Sequence, residues 1–247
     1  MSAPQTILLL HGFPLDSRMW TPQRSALEGL GYRVLTPDLP GFGRRKPWPR
    51  ENCSMESFAD DIHRLLRADT GGSAAVGGFS MGGYVLLALL RRHPEVVTAV
   101  MLMDTHAAAD TPQARENRRN MIRAVPESGV KPVADAMVPR LLSSTAPAEL
   151  RRHVFAMICS QNPAGIVNAQ EAMARRGDHT DLLRQLRVPA LVVVGQEDVL
   201  TPPATARAMC DQIPAGRLVE IPGAGHLANL EAPQAVNAAI VEFLRAL

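Results

Sequence analysis

The chain contains little of what marks membrane, nucleic-acid-binding or disulfide-stabilised proteins. No apolar run reaches the roughly 18 residues that a helix needs to cross a bilayer. Lysine occurs only at positions 46 and 131 and the formal net charge is +2, so no basic surface typical of nucleic-acid binding is expected. The three cysteines are odd in number and widely spaced, which predicts neither a disulfide framework nor a metal site. These absences leave a globular protein without nucleic-acid or membrane partners.

The same absences bear on where the protein resides. The amino terminus lacks the basic segment of a signal peptide, and its first short apolar run is already typical of a strand. Unpaired thiols fit a reducing compartment. We therefore expect a cytoplasmic protein, while nothing in the sequence indicates an oligomeric state.

Six apolar runs alternate with helical patterns along the chain. This alternation predicts an α/β fold with a mostly parallel sheet of about six strands and helices on both faces. The strands are expected to begin near Thr6, Arg33, Ala74, Val97, Pro189 and Leu218. Helices are expected over residues 19–30, 55–69, 81–92, 205–212 and 233–246.

The strand pattern disappears between the fourth and fifth runs. Helical patterns occupy residues 112–124, 130–142, 147–160 and 164–176 instead. We interpret residues 107–186 as a helical cap inserted into a core formed by residues 1–106 and 187–247. The alternative is an ordinary helical extension packed beside the sheet.

One serine lies in the pattern G-x-S-x-G, between a strand-like run and a helical run. Gly78 and Gly82 flank Ser80 in this pattern. A sharp turn from strand to helix would hold the serine in a strained backbone with its hydroxyl exposed, and glycine permits the close approach of the two elements. The alternative is a simple glycine-serine turn, so the interpretation of Ser80 as a nucleophile depends on partners elsewhere in the chain.

An acid and a base follow the serine in the order that such a nucleophile needs. Asp198 comes just after the fifth strand-like run, and His226 lies in a glycine-containing loop after the sixth. A base must accept the serine proton, and an acid must orient the base. We therefore predict Ser80, Asp198 and His226 as the catalytic residues. Glu197 and Asp104 remain competing candidates for the acid, since Asp104 also ends a strand-like run.

The remaining histidines are weaker candidates for the base. His106, His153 and His179 precede the strand that carries Asp198, and His63 and His93 lie in or at the end of helical patterns. His11 follows the first strand and is expected to brace its loop.

The chain resembles the α/β-hydrolase superfamily in segments that span nearly its whole length. They are His11-Gly12-Phe13, residues 37–43, residues 78–82, Gln196-Glu197-Asp198 and Gly225-His226. It is most similar to small serine esterases and lactonases of the 3-oxoadipate enol-lactonase type, and also resembles cofactor-free bacterial perhydrolases. The short segment before the first strand indicates a purely parallel version of the fold, without the extra antiparallel strand pair.

The resemblance implies an oxyanion hole formed by two backbone N–H groups, those of Phe13 and Met81. It also implies hydrolysis of a small-molecule ester or lactone through an acyl-enzyme intermediate, with no cofactor. Perhydrolase, haloperoxidase-type and C–C bond hydrolase activities use the same fold and stay open as alternatives. A haloalkane dehalogenase is disfavoured because it needs an aspartate nucleophile in place of Ser80, and a non-catalytic binding module is a remote alternative.

Overall fold

The part of the chain that the structure describes forms one six-stranded sheet whose strands all run parallel. The computed structural model describes residues 5–69 and 72–247; residues 1–4, on which the expected absence of a signal peptide rests, lie outside them. The sheet order is β2-β1-β3-β4-β5-β6. The strands are β1 (Thr6–Leu10), β2 (Arg33–Leu35), β3 (Ala74–Phe79), β4 (Val97–Met103), β5 (Ala190–Gly195) and β6 (Gly216–Ile221). The predicted six-stranded, purely parallel sheet is confirmed.

Eleven α-helices within the described residues surround this sheet. In chain order they are α1 (Thr21–Glu28), α2 (Met55–Asp69), α3 (Met81–Arg92), α4 (Pro112–Ser128), α5 (Lys131–Leu141), α6 (Ala148–Cys159), α7 (Pro163–Arg175), α8 (Thr180–Leu183), α9 (Pro203–Cys210), α10 (Ala228–Glu231) and α11 (Pro233–Arg245). Among the described residues, no helix is both long and apolar enough to span a bilayer.

Proline accounts for the main departures from the predicted helix bounds. The segment predicted as one helix over residues 19–30 begins as a single 3-10 turn, and α1 starts with Pro22 in its first turn. Helix α9 likewise starts at Pro203, two residues before its predicted beginning. Proline suits the first turn, where its missing N–H costs no hydrogen bond. Helix α4 continues beyond its predicted end at residue 124 and ends at Ser128, with Pro126 inside its last turn.

The strand register brings the carboxyl ends of neighbouring strands to one edge of the sheet. Leu10 pairs with Gly78, Phe79 with Met103, and Gly195 with Ile221. Strands β3 and β5 are buried along their whole length, as expected for the centre of a sheet that is covered on both faces. Because functional loops follow these strand ends, the register places residues from distant parts of the chain side by side.

Helices α4 to α7 lie between β4 and β5 in the chain. The connection that they form is longer than an ordinary crossover between two parallel strands. Their packing partners lie mainly among themselves: α4 packs against α7, and α5 against α6. Buried apolar residues of these helices join the same hydrophobic core as the sheet. The inserted helices are thus held on the sheet by apolar contacts.

Candidate active site

Ser80 occupies a strained turn between β3 and α3. Its backbone has φ 50° and ψ −112°, a conformation that non-glycine residues rarely adopt. The Ser80 N–H donates a 2.9 Å hydrogen bond to the Met103 carbonyl at the end of the neighbouring strand. The carbonyl of Ser80 accepts a 2.8 Å bond from the Thr105 hydroxyl. These bonds from β4 and the loop after it fix the turn and leave the half-buried Ser80 side chain facing a cavity.

The two glycines of the motif are required by the close packing of the turn. A Cβ atom at Gly78 would lie 2.4 Å from the Gly82 carbonyl oxygen. A Cβ atom at Gly82 would lie 2.3 Å from the carbonyl oxygen of Leu10. Both neighbours are backbone atoms, which cannot rotate away as a side chain can. The glycines therefore let α3 approach β1 and β3 closely enough to form the turn.

This packing predicts that Gly82→Ala is strongly destabilising. The added methyl group must displace the backbone of β1, and such overpacking typically costs about 1–3 kcal/mol or more. The matched control is Gly177→Ala, because nothing lies within 4 Å of a Cβ atom at Gly177. Thermal unfolding followed by circular dichroism should show a clear drop in Tm for Gly82→Ala alone; equal Tm values for the two variants would contradict the packing argument.

His226 and Asp198 meet at the end of the sheet although 28 positions separate them. Asp198 lies in the loop after β5 and His226 in the loop after β6. The His226 Nδ1 and the Asp198 Oδ2 are 2.7 Å apart, and both side chains are buried. The ring of His226 also packs edge-on against Phe79, with 5.2 Å between the ring centroids. A proton on Nδ1, donated to the carboxylate, leaves Nε2 free to accept a proton.

The carboxylate of Asp198 is held by several further hydrogen bonds. Its Oδ1 accepts the backbone N–H groups of Leu200, at 2.7 Å, and Thr201, at 3.0 Å, and its Oδ2 accepts the Thr201 hydroxyl at 2.6 Å. Burial opposes the ionisation of Asp198, but the hydrogen bond to His226 and the bonds from Thr201 outweigh it and lower the pKa of Asp198. Asp198 is therefore an ionised carboxylate with a fixed orientation. The sequence analysis assigned no role to Thr201, although a threonine three residues after an aspartate is a common local hydrogen-bonding partner.

Asp104, the competing candidate for the acid, lies beside Asp198 but differs from it in protonation. It follows β4, has φ 45°, and accepts a 2.9 Å hydrogen bond from the Gly195 N–H. Burial, followed by the negative charge of Asp198, raises the pKa of Asp104 well above its ordinary value. The two carboxyl groups share a hydrogen bond, in which the neutral Asp104 is the donor and the ionised Asp198 is the acceptor. Glu197, the other candidate, is exposed.

Asp104, Asp198 and His226 also have polar atoms within 4.8 Å of one another, close enough for a metal ion to bridge. The donor set does not suit one, however. Both oxygens of Asp198 already accept hydrogen bonds, and its partner His226 is engaged through Nδ1. The chemistry of the cluster is that of a hydrogen-bonded acid-base pair.

Two of the rival histidines, His106 and His11, have other partners. His106 lies in the same cavity, where its Nε2 is 3.0 Å from the Tyr84 hydroxyl and 3.3 Å from Nη2 of Arg176. Burial and the charge of Arg176 lower the pKa of His106 to about 4. His11 accepts a 2.9 Å hydrogen bond from the Leu39 N–H and so joins the loops after β1 and β2.

Two backbone N–H groups at the positions predicted for an oxyanion hole have no hydrogen-bond partner among the described residues. They belong to Phe13, in the loop after β1, and to Met81, the first residue of α3. The first N–H groups of a helix have no acceptor within the helix and lie at the positive end of its dipole. Phe13 and Ser80 line the same cavity. The positions predicted for an oxyanion hole thus have free donors.

The cavity has a volume of about 290 Å³ and brings Ser80 and His226 together with residues of the inserted helices. Apolar side chains from α4, α5 and α7 form part of its wall: Met121, Met137 and Met173. Polar groups lie beside them, including His106, Asp110, Arg118 and Arg140. A space of this size suits a small molecule.

Comparisons with known proteins agree with this architecture. A family model described as the alpha/beta hydrolase fold matches residues 5–233. A thermophilic esterase from Thermogutta terrifontis, whose structure was solved with malate bound, is 41% identical; the match has a TM-score of 0.95 and covers 99% of this chain and 90% of that chain. The enol-lactonase from Burkholderia xenovorans LB400 is 28% identical, with a TM-score of 0.86, and 99% of this chain and 92% of that chain are covered.

A further relative is named for a different substrate. The 2-hydroxy-6-oxo-6-(2'-aminophenyl)hexa-2,4-dienoic acid hydrolase of Metapseudomonas resinovorans is 27% identical, and the match covers 97% of this chain and 84% of that protein. The family model covers most of the chain, and the sheet has the predicted number and direction of strands. The chain therefore belongs to the α/β-hydrolase family.

Proposed function

We propose that the protein is a serine hydrolase that cleaves a carboxylic ester or lactone of a small molecule through an acyl-enzyme intermediate. The observation that carries the proposal is the 2.7 Å contact between His226 and Asp198, with Ser80 in the same cavity. Esterase and enol-lactonase relatives support the choice of bond.

In the proposed mechanism, Ser80 attacks the carbonyl carbon of the substrate while Nε2 of His226 takes the hydroxyl proton. The imidazolium returns this proton to the departing alkoxide, which leaves as an alcohol, or remains attached through the acyl chain when the substrate is a lactone. Water then attacks the acyl-enzyme with His226 again acting as the base. Asp198 holds the ring in the required tautomer and stabilises its positive charge.

The developing oxyanion would be bound by the N–H groups of Phe13 and Met81. A donor of this kind is typically worth about 3–4 kcal/mol of barrier lowering. We further propose that residues 107–186 act as a cap, since their side chains form part of the cavity wall above Ser80. The cap would exclude water and determine which substrates fit.

A second candidate is hydrolysis of a C–C bond next to a carbonyl group. The relative from Metapseudomonas resinovorans, named as a hydrolase of a hexadienoic acid, favours it. Ester hydrolysis and C–C hydrolysis would share the acylation of Ser80. In C–C hydrolysis, however, the leaving group would be a carbanion instead of an alkoxide, and this carbanion must be protonated. The substrate therefore distinguishes the two functions.

The direct test is a panel assay with the purified protein. We expect hydrolysis of p-nitrophenyl acetate, short aliphatic methyl esters and γ- or δ-lactones, measured by product formation. Turnover of a dienone acid without turnover of any ester or lactone would favour C–C hydrolysis. Faster formation of peracid than of acid in the presence of hydrogen peroxide would identify a perhydrolase instead.

A further inference from the structure

A second cavity, separate from the one beside Ser80, is lined mainly by arginines. It has a volume of about 260 Å³ and is bordered by faces of α4 and α7 other than those that border the catalytic cavity. Five of its eight lining residues are arginines, and we call it the arginine cavity: Arg50, Arg115, Arg119, Arg123 and Arg175. The hydrolytic chemistry at Ser80 makes no use of these side chains.

The carboxylates beside these arginines are too few to balance their charge. Glu171 pairs with Arg50, and 2.8 Å separate Oε2 of the glutamate from Nε of the arginine. The single carboxylate of Glu116 accepts from Arg119 at 3.3 Å and from Arg123 at 3.0 Å. Five arginines and two glutamates give the cluster a formal charge of +3, against +2 for the whole chain. The excess positive charge of the protein is therefore concentrated here.

Two of the five arginines have no carboxylate partner within the described part of the chain. The exposed guanidinium of Arg115 makes no ion pair and no hydrogen bond there. Arg175 donates a 3.0 Å hydrogen bond to the backbone carbonyl of Cys53, which is a neutral acceptor. Like charges at short range repel each other, and a bound anion removes this repulsion. The arginine cavity therefore favours an anionic ligand.

The arginines reach the cavity from both the inserted helices and the core. Arg115, Arg119 and Arg123 follow one another at intervals of four residues on α4, so they lie along one side of that helix. Arg175 ends α7, whereas Arg50 belongs to the connection between β2 and α2 in the core. A ligand in the arginine cavity contacts both parts of the protein at once.

We infer that the arginine cavity binds a small soluble molecule that carries a phosphate or diphosphate group. A phosphate group brings nearly two negative charges near neutral pH and three acceptor oxygens, so it offsets more of the excess charge than one carboxylate does. The planar guanidinium group donates two parallel hydrogen bonds to phosphate oxygens. The apolar lining residues Ile122 and Ala174 contact the rest of the ligand, and the volume limits it to a small one. The inference does not depend on the proposed hydrolysis.

Isothermal titration calorimetry with inorganic pyrophosphate, in buffer free of phosphate and divalent cations, tests the site. We expect one pyrophosphate per chain with a Kd below about 1 mM, and binding about tenfold weaker when NaCl rises from about 50 to about 300 mM. Malonate, a dianion without phosphate, should bind at least about tenfold more weakly. Malonate binding as tight as that of pyrophosphate overturns the choice of phosphate. Sedimentation with phosphatidylglycerol vesicles that pyrophosphate reverses would place the phosphate on a lipid and overturn the soluble ligand.

Arg115→Gln should weaken pyrophosphate binding about tenfold, because it removes a guanidinium that has no carboxylate partner. Arg152→Gln is the matched control, since Arg152 is also exposed and unpaired among the described residues but lies on α6, outside the arginine cavity. Arg140→Gln, in the catalytic cavity, tests the other place where an anion could bind. Both controls should bind as the wild type does. Absence of pyrophosphate binding, equal weakening in Arg115→Gln and Arg152→Gln, or weakening in Arg140→Gln overturns the inference, whether or not the protein hydrolyses esters.

Discussion

Ser80→Ala is expected to reduce kcat for p-nitrophenyl acetate by about 10,000-fold or more. The substitution removes the atom that attacks the carbonyl carbon, and no other hydroxyl can occupy the tip of the strained turn between β3 and α3. A loss of this size corresponds to about 5.5 kcal/mol of transition-state stabilisation. Initial rates at saturating substrate, corrected for spontaneous hydrolysis, measure it.

Ser25→Ala serves as the control for this prediction. Ser25 lies on the exposed face of α1, so its loss should leave both folding and activity at the wild-type level. Circular dichroism should show that Ser80→Ala is folded as well, because alanine keeps the Cβ atom and removes only the hydroxyl. If a folded Ser80→Ala variant kept more than a tenth of the wild-type rate, the nucleophile would have to be another group.

Asp198→Asn and Asp104→Asn are expected to have very different effects, although the two aspartates are neighbours. Asp198 is ionised and accepts from Nδ1 of His226, so its amide would favour the wrong tautomer and would not stabilise the imidazolium. A loss of about 10,000-fold in kcat is expected. Asp104 is already neutral and hydrogen-bonds to Asp198, so an amide of the same shape can replace it.

The Asp104→Asn variant should therefore keep its kcat within about tenfold of the wild type. Each of the two variants replaces one carboxylate oxygen by an amide nitrogen. A comparison of their kcat values in the same p-nitrophenyl acetate assay therefore decides between the two candidate acids. The reverse order, with Asp104→Asn nearly inactive and Asp198→Asn active, would make Asp104 the acid. Equal losses in both variants would point to general damage at this end of the sheet.

The sequence predicted the sheet and the positions of the candidate residues because both depend on local patterns. Apolar runs identify buried strands, and residues that follow such runs must emerge at the same edge of a parallel sheet. Ser80, Asp198 and His226 could be found in this way. The predicted strands at Pro189 and Leu218 begin at Ala190 and Gly216 instead, within the usual uncertainty of element ends.

The rest of the site could not be predicted because it depends on contacts between distant segments. Asp104 becomes neutral only because the fold buries it beside Asp198, which lies on another strand. Arg176 pairs with Asp110 across 66 positions, and no local pattern distinguishes it from the many exposed arginines.

Labelling with a fluorophosphonate, followed by peptide mass spectrometry, tests most directly whether Ser80 is an activated nucleophile. The reagent reacts with serines that an adjacent base activates and leaves ordinary serines unmodified. We predict a single adduct on Ser80 in the wild-type protein, very slow labelling of His226→Ala, and none of Ser80→Ala. An adduct on a different residue, or hydrolysis of esters by a protein that takes up no label at Ser80, would contradict the assignment.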